Sequence, residues 1–145
     1  MRYMIYEANH EKVPVKNEIE YIKNYIDLEK LRLEDEFPIE FKIEGAYEHL
    51  KISPLIFITF LENAFKHGMV EEPNKGWVKV CLKFDDNHCE YQVSNSRDMK
   101  AKSEGETGIG LQNTKRRLEL SYFEAHSLEI IEKNNSWTTI LHIDL

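Results

Sequence analysis

The chain has 145 residues, with 19 Lys and Arg against 26 Asp and Glu, so its formal net charge is −7. With 41% apolar residues, this is the composition of one soluble globular domain. The net acidity, without any Lys/Arg-rich run, argues against a nucleic-acid binder and a membrane-surface module, because both need a concentrated basic face. The longest apolar stretch, 54–61, is far shorter than the ~20 residues of a membrane-spanning helix, so we expect no membrane insertion of this chain.

The N-terminal segment lacks the apolar core and cleavage site of a secretory signal, which predicts a cytoplasmic domain. Cys81 and Cys89 are too few for a disulfide framework, and with only His88 beside them they lack a four-ligand zinc set. We expect both cysteines to be small core or strand residues. No repeat, low-complexity tract or linker divides the chain, so residues 1–145 are expected to form a single domain.

The first predicted elements are a helix and a strand. Apolar residues follow Pro14 at helical spacing, which predicts an amphipathic helix over about residues 15–34. Apolar and charged residues then alternate over 39–43, as in a half-buried strand, and Gly45 ends the pattern.

A second, very apolar helix is predicted over 54–68. Ser53 is a suitable N-cap, Pro54 suits the first helical position and Gly68 is a natural stop. The helix becomes polar only in its last turns.

Two hairpins and a third helix complete the predicted fold. Alternation over 78–84 and 89–95 predicts an antiparallel hairpin, and the polar stretch 96–107 after it predicts a long loop of the kind that is usually functional or mobile. A helix is predicted over 112–122, and a closing hairpin turns at Asn134-Asn135. Helices on one face of a mixed, mostly antiparallel sheet form a two-layer α/β sandwich of the α+β class.

Four polar residues stand near the end of the second helix. Glu62 and Lys66 are four residues apart, as are Asn63 and His67, so they fall on adjacent edges of the helix. One interpretation is a solvated edge with an i,i+4 ion pair. The other is a site for a phosphate-bearing ligand and its metal, because oxygen ligands suit Mg²⁺ and cations suit phosphate.

Gly108 and Gly110 flank Ile109 in a lone G-x-G. This motif alone is weak evidence for a ligand site, because a glycine pair often only ends a loop. This pair ends a polar loop and opens a helix, so its backbone amides could receive a phosphate group. The chain has neither a Rossmann fingerprint nor a P-loop sequence.

These segments resemble the ATP-binding domain of sensor histidine kinases of the LytS/YehU family, in the wider ATPase group that includes gyrase and MutL. The resemblance rests on L-E-N-A-F-K-H-G over 61–68, G-I-G-L-Q-N over 108–113 and R-R-L over 116–118. Y-I-D-L-E over 25–29 is similar to the helix that precedes this domain in that family. The resemblance implies a Bergerat-type ATPase fold, in which residues 1–35 include the end of the preceding helical segment.

The resemblance also implies roles for particular residues. Asn63 would hold the Mg²⁺ that bridges the triphosphate of ATP, and Glu62 would be the catalytic acid that orients or polarises the attacking group. Lys66 and His67 would approach the phosphates. The other implied ATP-binding residues are Asn95, Gly108, Ile109, Gly110, Leu111, Asn113 and Thr139.

Two departures from the family pattern concern nucleotide binding. The D-x-G-x-G box of the family is N-S-R-D-M over 95–99, with Asn95 at the Asp position and no glycine after it. An Asn oxygen can still accept a hydrogen bond from the adenine amine, but without charge assistance, which costs about 0.5–1.5 kcal/mol. We therefore expect ATP binding that is weakened rather than lost. From the residues alone, an interpretation of Asn95 as a strand-end turn residue stands equally beside that of a ligand-binding residue.

A further departure concerns the phosphoacceptor. The family's P-H-F-L-F-N-like segment does not occur, and His10 does not match it. The resemblance therefore implies a protein-histidine kinase catalytic domain that transfers the γ-phosphoryl of Mg-ATP to a histidine on a dimerisation helix outside this chain. A response regulator would act downstream in the two-component system, and the parent protein would lie in the bacterial cytoplasmic membrane. The alternative is a degenerate kinase-like domain that acts as a binding or regulatory module without phosphotransfer.

Overall fold

The computed structural model describes residues 12–33, 37–68, 76–97 and 109–145, and only the backbone of Ile109. Within these ranges there are three helices and seven strands. The helices are α1 (Val15–Arg32), α2 (Ile56–Gly68) and α3 (Ile109–Ser121). The strands are β1 (Val13–Pro14), β2 (Ile39–Glu44), β3 (Lys51–Ile52), β4 (Val78–Asp85), β5 (His88–Ser96), β6 (His126–Lys133) and β7 (Ser136–Asp144).

The main sheet has five strands in the order β2-β4-β5-β7-β6. β2 runs parallel to β4, and the other neighbours are antiparallel. Side chains on one face of β4 and β5 are buried, whereas most on the other face are more exposed. The predicted α+β sandwich with a mixed, mostly antiparallel sheet is therefore confirmed.

The core lies between the helices and the sheet. Ile19 and Ile22 of α1 and Phe57 and Phe65 of α2 are almost fully buried, together with Tyr91 of β5. The Tyr91 hydroxyl donates a hydrogen bond to the Phe57 carbonyl at 3.0 Å, so burial leaves no unpaired phenol. Burying each large apolar side chain contributes about 1.5–3 kcal/mol.

Most predicted elements are confirmed. α1 begins directly after Pro14, both hairpins form as predicted, and β2 alternates in burial up to Gly45. Cys81 and Cys89 are free residues of β4 and β5, as expected. The third helix begins at Ile109, earlier than predicted. Most of the predicted 96–107 loop, together with His10 and Gly108, lies outside the described residues.

The start of the second helix was predicted wrongly. α2 begins at Ile56, and Leu55 before it has a left-handed φ of 63°. Ser53 was expected to cap the helix. Its backbone N–H instead donates a hydrogen bond to the Tyr122 hydroxyl at 2.8 Å. A buried carboxylate from α1 lies at the start of α2 instead, because Glu18 Oε1 accepts a hydrogen bond from the Leu55 N–H at 2.8 Å.

The structure also contains an element that the sequence did not predict. β1 and β3 pair in a small antiparallel sheet, in which Val13 faces Ile52. Strands of two residues have no measurable alternation, so hydrophobic periodicity cannot reveal them.

Candidate functional site

One side of α2 carries a stripe of polar residues at four-residue spacing: Thr59, Asn63 and His67. The first turn of α3 lies beside the Thr59 end of this stripe. A methyl group placed on Gly110 would stand 3.8 Å from Thr59 Cγ2, an ordinary van der Waals distance. The predicted glycine segment therefore reaches the helix that carries Asn63.

The C-terminal end of α2 is held against β5. A methyl group on Gly68 would be only 3.1 Å from Asn95 Cβ. The Ser96 hydroxyl donates to the Gly68 carbonyl at 2.8 Å and accepts a hydrogen bond from the Trp77 N–H at 2.9 Å. Asn63, one turn before the end of α2, thus lies between the start of α3 and the end of β5.

Asn95 is 2% exposed, and its Nδ2 donates to the Ser96 carbonyl at 2.8 Å. Because a carbonyl oxygen only accepts, this contact fixes which way the carboxamide points. Oδ1 accepts no hydrogen bond from any described residue. It is an acceptor that a ligand's amine could use.

Thr139 lies near Asn95 on the same face of the sheet. Asn95 faces Trp137 across the β5–β7 pair, and Thr139 follows Trp137 by two residues. Thr139 is buried, and its hydroxyl accepts a hydrogen bond from Trp137 Nε1 at 3.3 Å. The structure therefore brings together Asn95 and Thr139, two of the residues that the resemblance implied for ATP binding.

Two positively charged side chains lie near His67, at the C-terminal end of the stripe. Burial lowers the pKa of His67 from its ordinary value of 6.5, and the charges of Lys66 and Arg97 lower it further. His67 is therefore held neutral at pH 7 unless an anion binds nearby. Two cations beside an imidazole suit a negatively charged ligand.

Arg97 is a candidate residue that sequence reasoning did not assign. Its guanidinium pairs with Glu132 and lies over the Trp137 ring, 5.5 Å from the ring centroid. Its N–H donates to the Asn135 carbonyl at 2.9 Å, which ties the end of β5 to the last hairpin. In the sequence, the one sign that Arg97 belongs to the site is that it stands where the D-x-G-x-G box of the family has its first glycine.

Glu62 does not share this environment. It lies about 100° around α2 from Asn63. Burial raises the pKa of both Tyr21 and Tyr25 on α1, and the charge of Glu62 raises it further. Partial burial raises the pKa of the Glu62 carboxyl. None of the ion pairs among the described residues joins Glu62 to Lys66, so the interpretation as an i,i+4 ion pair is wrong.

Three of the remaining predicted site residues, Ile109, Leu111 and Asn113, lie on α3. Leu111 is buried, whereas Asn113 points to solvent. Only the backbone of Ile109 is described, and Gly108 lies outside the described residues. In the ranges that the structure describes, no three His, Cys, Asp or Glu side chains could together hold a metal ion, and no helix is long and apolar enough to cross a membrane.

The sequence is similar to several sensor kinases. A family model described as "Histidine kinase" matches residues 1–37. LytS of Staphylococcus haemolyticus is 25% identical over an alignment of 123 residues, and the match covers 77% of this chain and 21% of that protein. LytS of Enterococcus faecalis is 24% identical over an alignment of 145 residues, which covers 92% of this chain and 24% of that protein. BtsS of Escherichia coli is 20% identical over 130 residues, which covers 90% of this chain and 23% of that protein. The chain thus spans about a quarter of the length of the curated relatives it matches.

The fold is that of solved histidine kinase catalytic domains. The catalytic domain of the histidine kinase ThkA matches with a TM-score of 0.59 at 19% identity, over 92% of this chain and 94% of that chain. The Acinetobacter baumannii histidine kinase AdeS matches with a TM-score of 0.61 at 10% identity, over 92% of this chain and 66% of that chain. At these identities the likeness concerns the fold.

Proposed function

The chain is a relative of the LytS-type sensor histidine kinases with the fold of a histidine kinase catalytic domain, and from this premise we propose that it binds Mg-ATP between α2, α3 and the end of β5. The γ-phosphoryl would then pass to a histidine on a dimerisation helix of the same kinase. The parent protein would be a dimeric membrane sensor that acts on a response regulator. Catalysis of this kind depends on positioning and charge neutralisation.

The observation that carries this proposal is the convergence on Asn63. Gly110 approaches the stripe of α2 at Thr59, while Asn95 lies against the helix end at Gly68. A nucleotide in this space would have its base near Asn95 and Thr139, with the Oδ1 of Asn95 as acceptor. Its phosphates would extend toward Asn63 and the cations near His67.

The site offers few oxygen ligands for Mg²⁺. The Asn63 carboxamide supplies one oxygen, and the part of the chain that the structure describes offers no cluster of three ligands. This agrees with the usual binding of Mg²⁺, which keeps several waters and takes most other ligands from the phosphates of the nucleotide. When bound, the ion would neutralise charge on those phosphates.

Glu62 keeps a separate role in this proposal. Its carboxyl faces α1, and its raised pKa makes it a better proton acceptor than an ordinary exposed carboxylate. We assign it the role of orienting or polarising the incoming histidine. Lys66, three residues after Asn63, would follow the phosphates as a flexible cation.

The test is calorimetric titration of ATP into the chain with and without MgCl₂. Asn63→Ala should abolish the part of the affinity that depends on Mg²⁺, whereas Asn24→Ala, an exposed Asn on α1, should leave it unchanged. Equal affinities for wild type and Asn63→Ala would refute the site.

A degenerate module that regulates a partner without phosphotransfer is the second candidate. Asn95 and Arg97, in place of an Asp and a Gly, favour it, because the guanidinium occupies space beside the predicted base site. The parent protein incubated with labelled ATP distinguishes the two. Acid-labile phosphate on histidine supports the kinase, and its absence despite ATP binding supports the module.

A further inference from the structure

A cluster of imidazoles and carboxylates lies on the sheet face opposite the helices. His88 faces Asp144 across β5 and β7, and Glu90 faces His142 in the same register. All four side chains therefore project from one face of two adjacent strands. His88 and His142 are accessible, with 47% and 36% of their side-chain surfaces exposed. The cluster is at the opposite end of β5 from Asn95, so it is separate from the proposed nucleotide site.

The two imidazoles have the spacing of ligands on one ion. His88 Nε2 and His142 Nδ1 are 3.3 Å apart, and the ring centroids are 5.5 Å apart. Two nitrogens, each about 2.0–2.1 Å from a tetrahedral ion, stand about 3.3–3.4 Å from each other. For both nitrogens to bind a shared ion, each ring must turn so that its lone pair points about 35° away from the line between the two nitrogens.

Asp144 prepares one of these nitrogens for coordination. Its Oδ1 lies 2.8 Å from His88 Nδ1, so a carboxylate accepts the hydrogen of that nitrogen. The hydrogen on Nδ1 leaves Nε2 without a hydrogen, and its lone pair faces His142 Nδ1. A carboxylate that orients an imidazole in this way is the usual outer partner of a metal-binding histidine.

We propose that His88 and His142 bind one divalent ion of the Zn²⁺, Ni²⁺ or Cu²⁺ class, with Asp144 as the positioning residue. Imidazole ligands select these ions over Mg²⁺ and Ca²⁺. Without the ion, His142 Nδ1 donates a hydrogen bond to His88 Nε2, and with it His142 takes the tautomer that carries its hydrogen on Nε2.

Water completes the coordination shell, because no third described side chain is close enough to act as a ligand in the structure as it stands. Glu90 is the carboxylate that could most readily become a third ligand. Its Oε2 lies 4.0 Å from His142 Nδ1, while its Oε1 lies 3.6 Å from Lys83 Nζ.

The first test is calorimetric titration of ZnCl₂ and NiCl₂ into the 145-residue chain. We expect one site that persists in excess MgCl₂. His88→Gln and His142→Gln should each weaken binding at least about 10-fold, and Asp144→Asn should weaken it about 10-fold while both ligands remain. His49→Gln, which alters an exposed histidine outside the cluster, should have no effect. Unchanged binding in both ligand variants would overturn the proposal.

A second measurement needs no variant. Substoichiometric paramagnetic Ni²⁺ should broaden the backbone amide signals of residues 88–90 and 142–144 before any others. Broadening that begins elsewhere in the chain, or none at all, would also overturn the site.

Discussion

Glu18 lies on α1 without exposed surface, and its Oε1 accepts a hydrogen bond from the Leu55 N–H at the start of α2. A carboxylate at this end of a helix is favoured by the helix dipole. Arg117 of α3 holds the same segment, because its Nη1 donates to the Pro54 carbonyl at 2.6 Å. The helix that carries Asn63 is therefore anchored by side chains from both other helices.

We expect Glu18→Ala to lower the free energy of unfolding by about 1–3 kcal/mol, because it removes a charged acceptor and leaves the partly buried Leu55 N–H unpaired. Urea denaturation followed by circular dichroism measures this change. Glu20→Ala, on the exposed side of the same helix, should stay within about 0.5 kcal/mol of wild type. Equal effects of the two substitutions would show that the contact with Leu55 is not important.

Asn95→Asp tests the most consequential departure from the family pattern. The carboxylate should bind the adenine amine about 3–10-fold more tightly, because the hydrogen bond becomes charge-assisted. In the free protein the same change loses the Nδ2 hydrogen bond to Ser96 and places a charge beside that carbonyl, so stability should fall by about 1–3 kcal/mol.

Titration of ATP and urea denaturation measure these two effects separately. Asn87→Asp adds the same charge in the exposed β4–β5 turn and should change neither. An ATP affinity that does not rise in Asn95→Asp would mean that the base does not lie against residue 95.

The strands of the five-stranded sheet were predicted well because one face of this sheet is buried and the other is more exposed, so burial alternates along most of its strands. Lys83 and Phe84 illustrate this, one exposed and one buried. The start of α2 was not predictable in the same way. It depends on Glu18, which is 37 residues away from Leu55 in the sequence, and a local capping rule cannot include such a partner.

The same limit applies to the candidate site. Asn63 and His67 share a side of α2 because of local helical spacing, which the sequence specifies. The position of Glu62 beside Tyr21 and Tyr25 depends on how α1 packs, and the position of Arg97 over Trp137 depends on the pairing of β5 with β7. Those placements follow from tertiary contacts.

Two glycines at element ends should respond differently to Ala. Gly45, after β2, has a φ of 87°, and its new methyl group would collide with the Phe84 carbonyl oxygen, so Gly45→Ala should cost at least about 3 kcal/mol. Gly110→Ala places its methyl group 3.8 Å from Thr59 Cγ2, an ordinary contact, in the first turn of α3, where the preference for Ala is at most the ~1 kcal/mol of a helix interior. Urea midpoints compare the two variants, and a stable Gly45→Ala protein would contradict the described backbone.

At the scale of the whole molecule, α1 is part of the same core as the sheet. Ile22 of α1 has no exposed surface, and the Tyr25 ring meets Phe65 of α2 edge-on at 5.7 Å. One continuous cluster of buried residues joins α1, α2, α3 and the strands. We therefore expect the described segments to unfold together rather than to lose α1 first.

Circular dichroism reports the helices during unfolding, whereas fluorescence of Trp77 and Trp137 reports the sheet side. The two signals should give one urea midpoint, because removing α1 would expose the shared core. Ile22→Ala should lower both midpoints together, with a loss of about 2–5 kcal/mol. Leu28→Ala, on the same helix but 66% exposed, should change stability by no more than about 0.5 kcal/mol. A helical signal that is lost before the tryptophan signal would show instead that α1 is a separate unit attached to the domain.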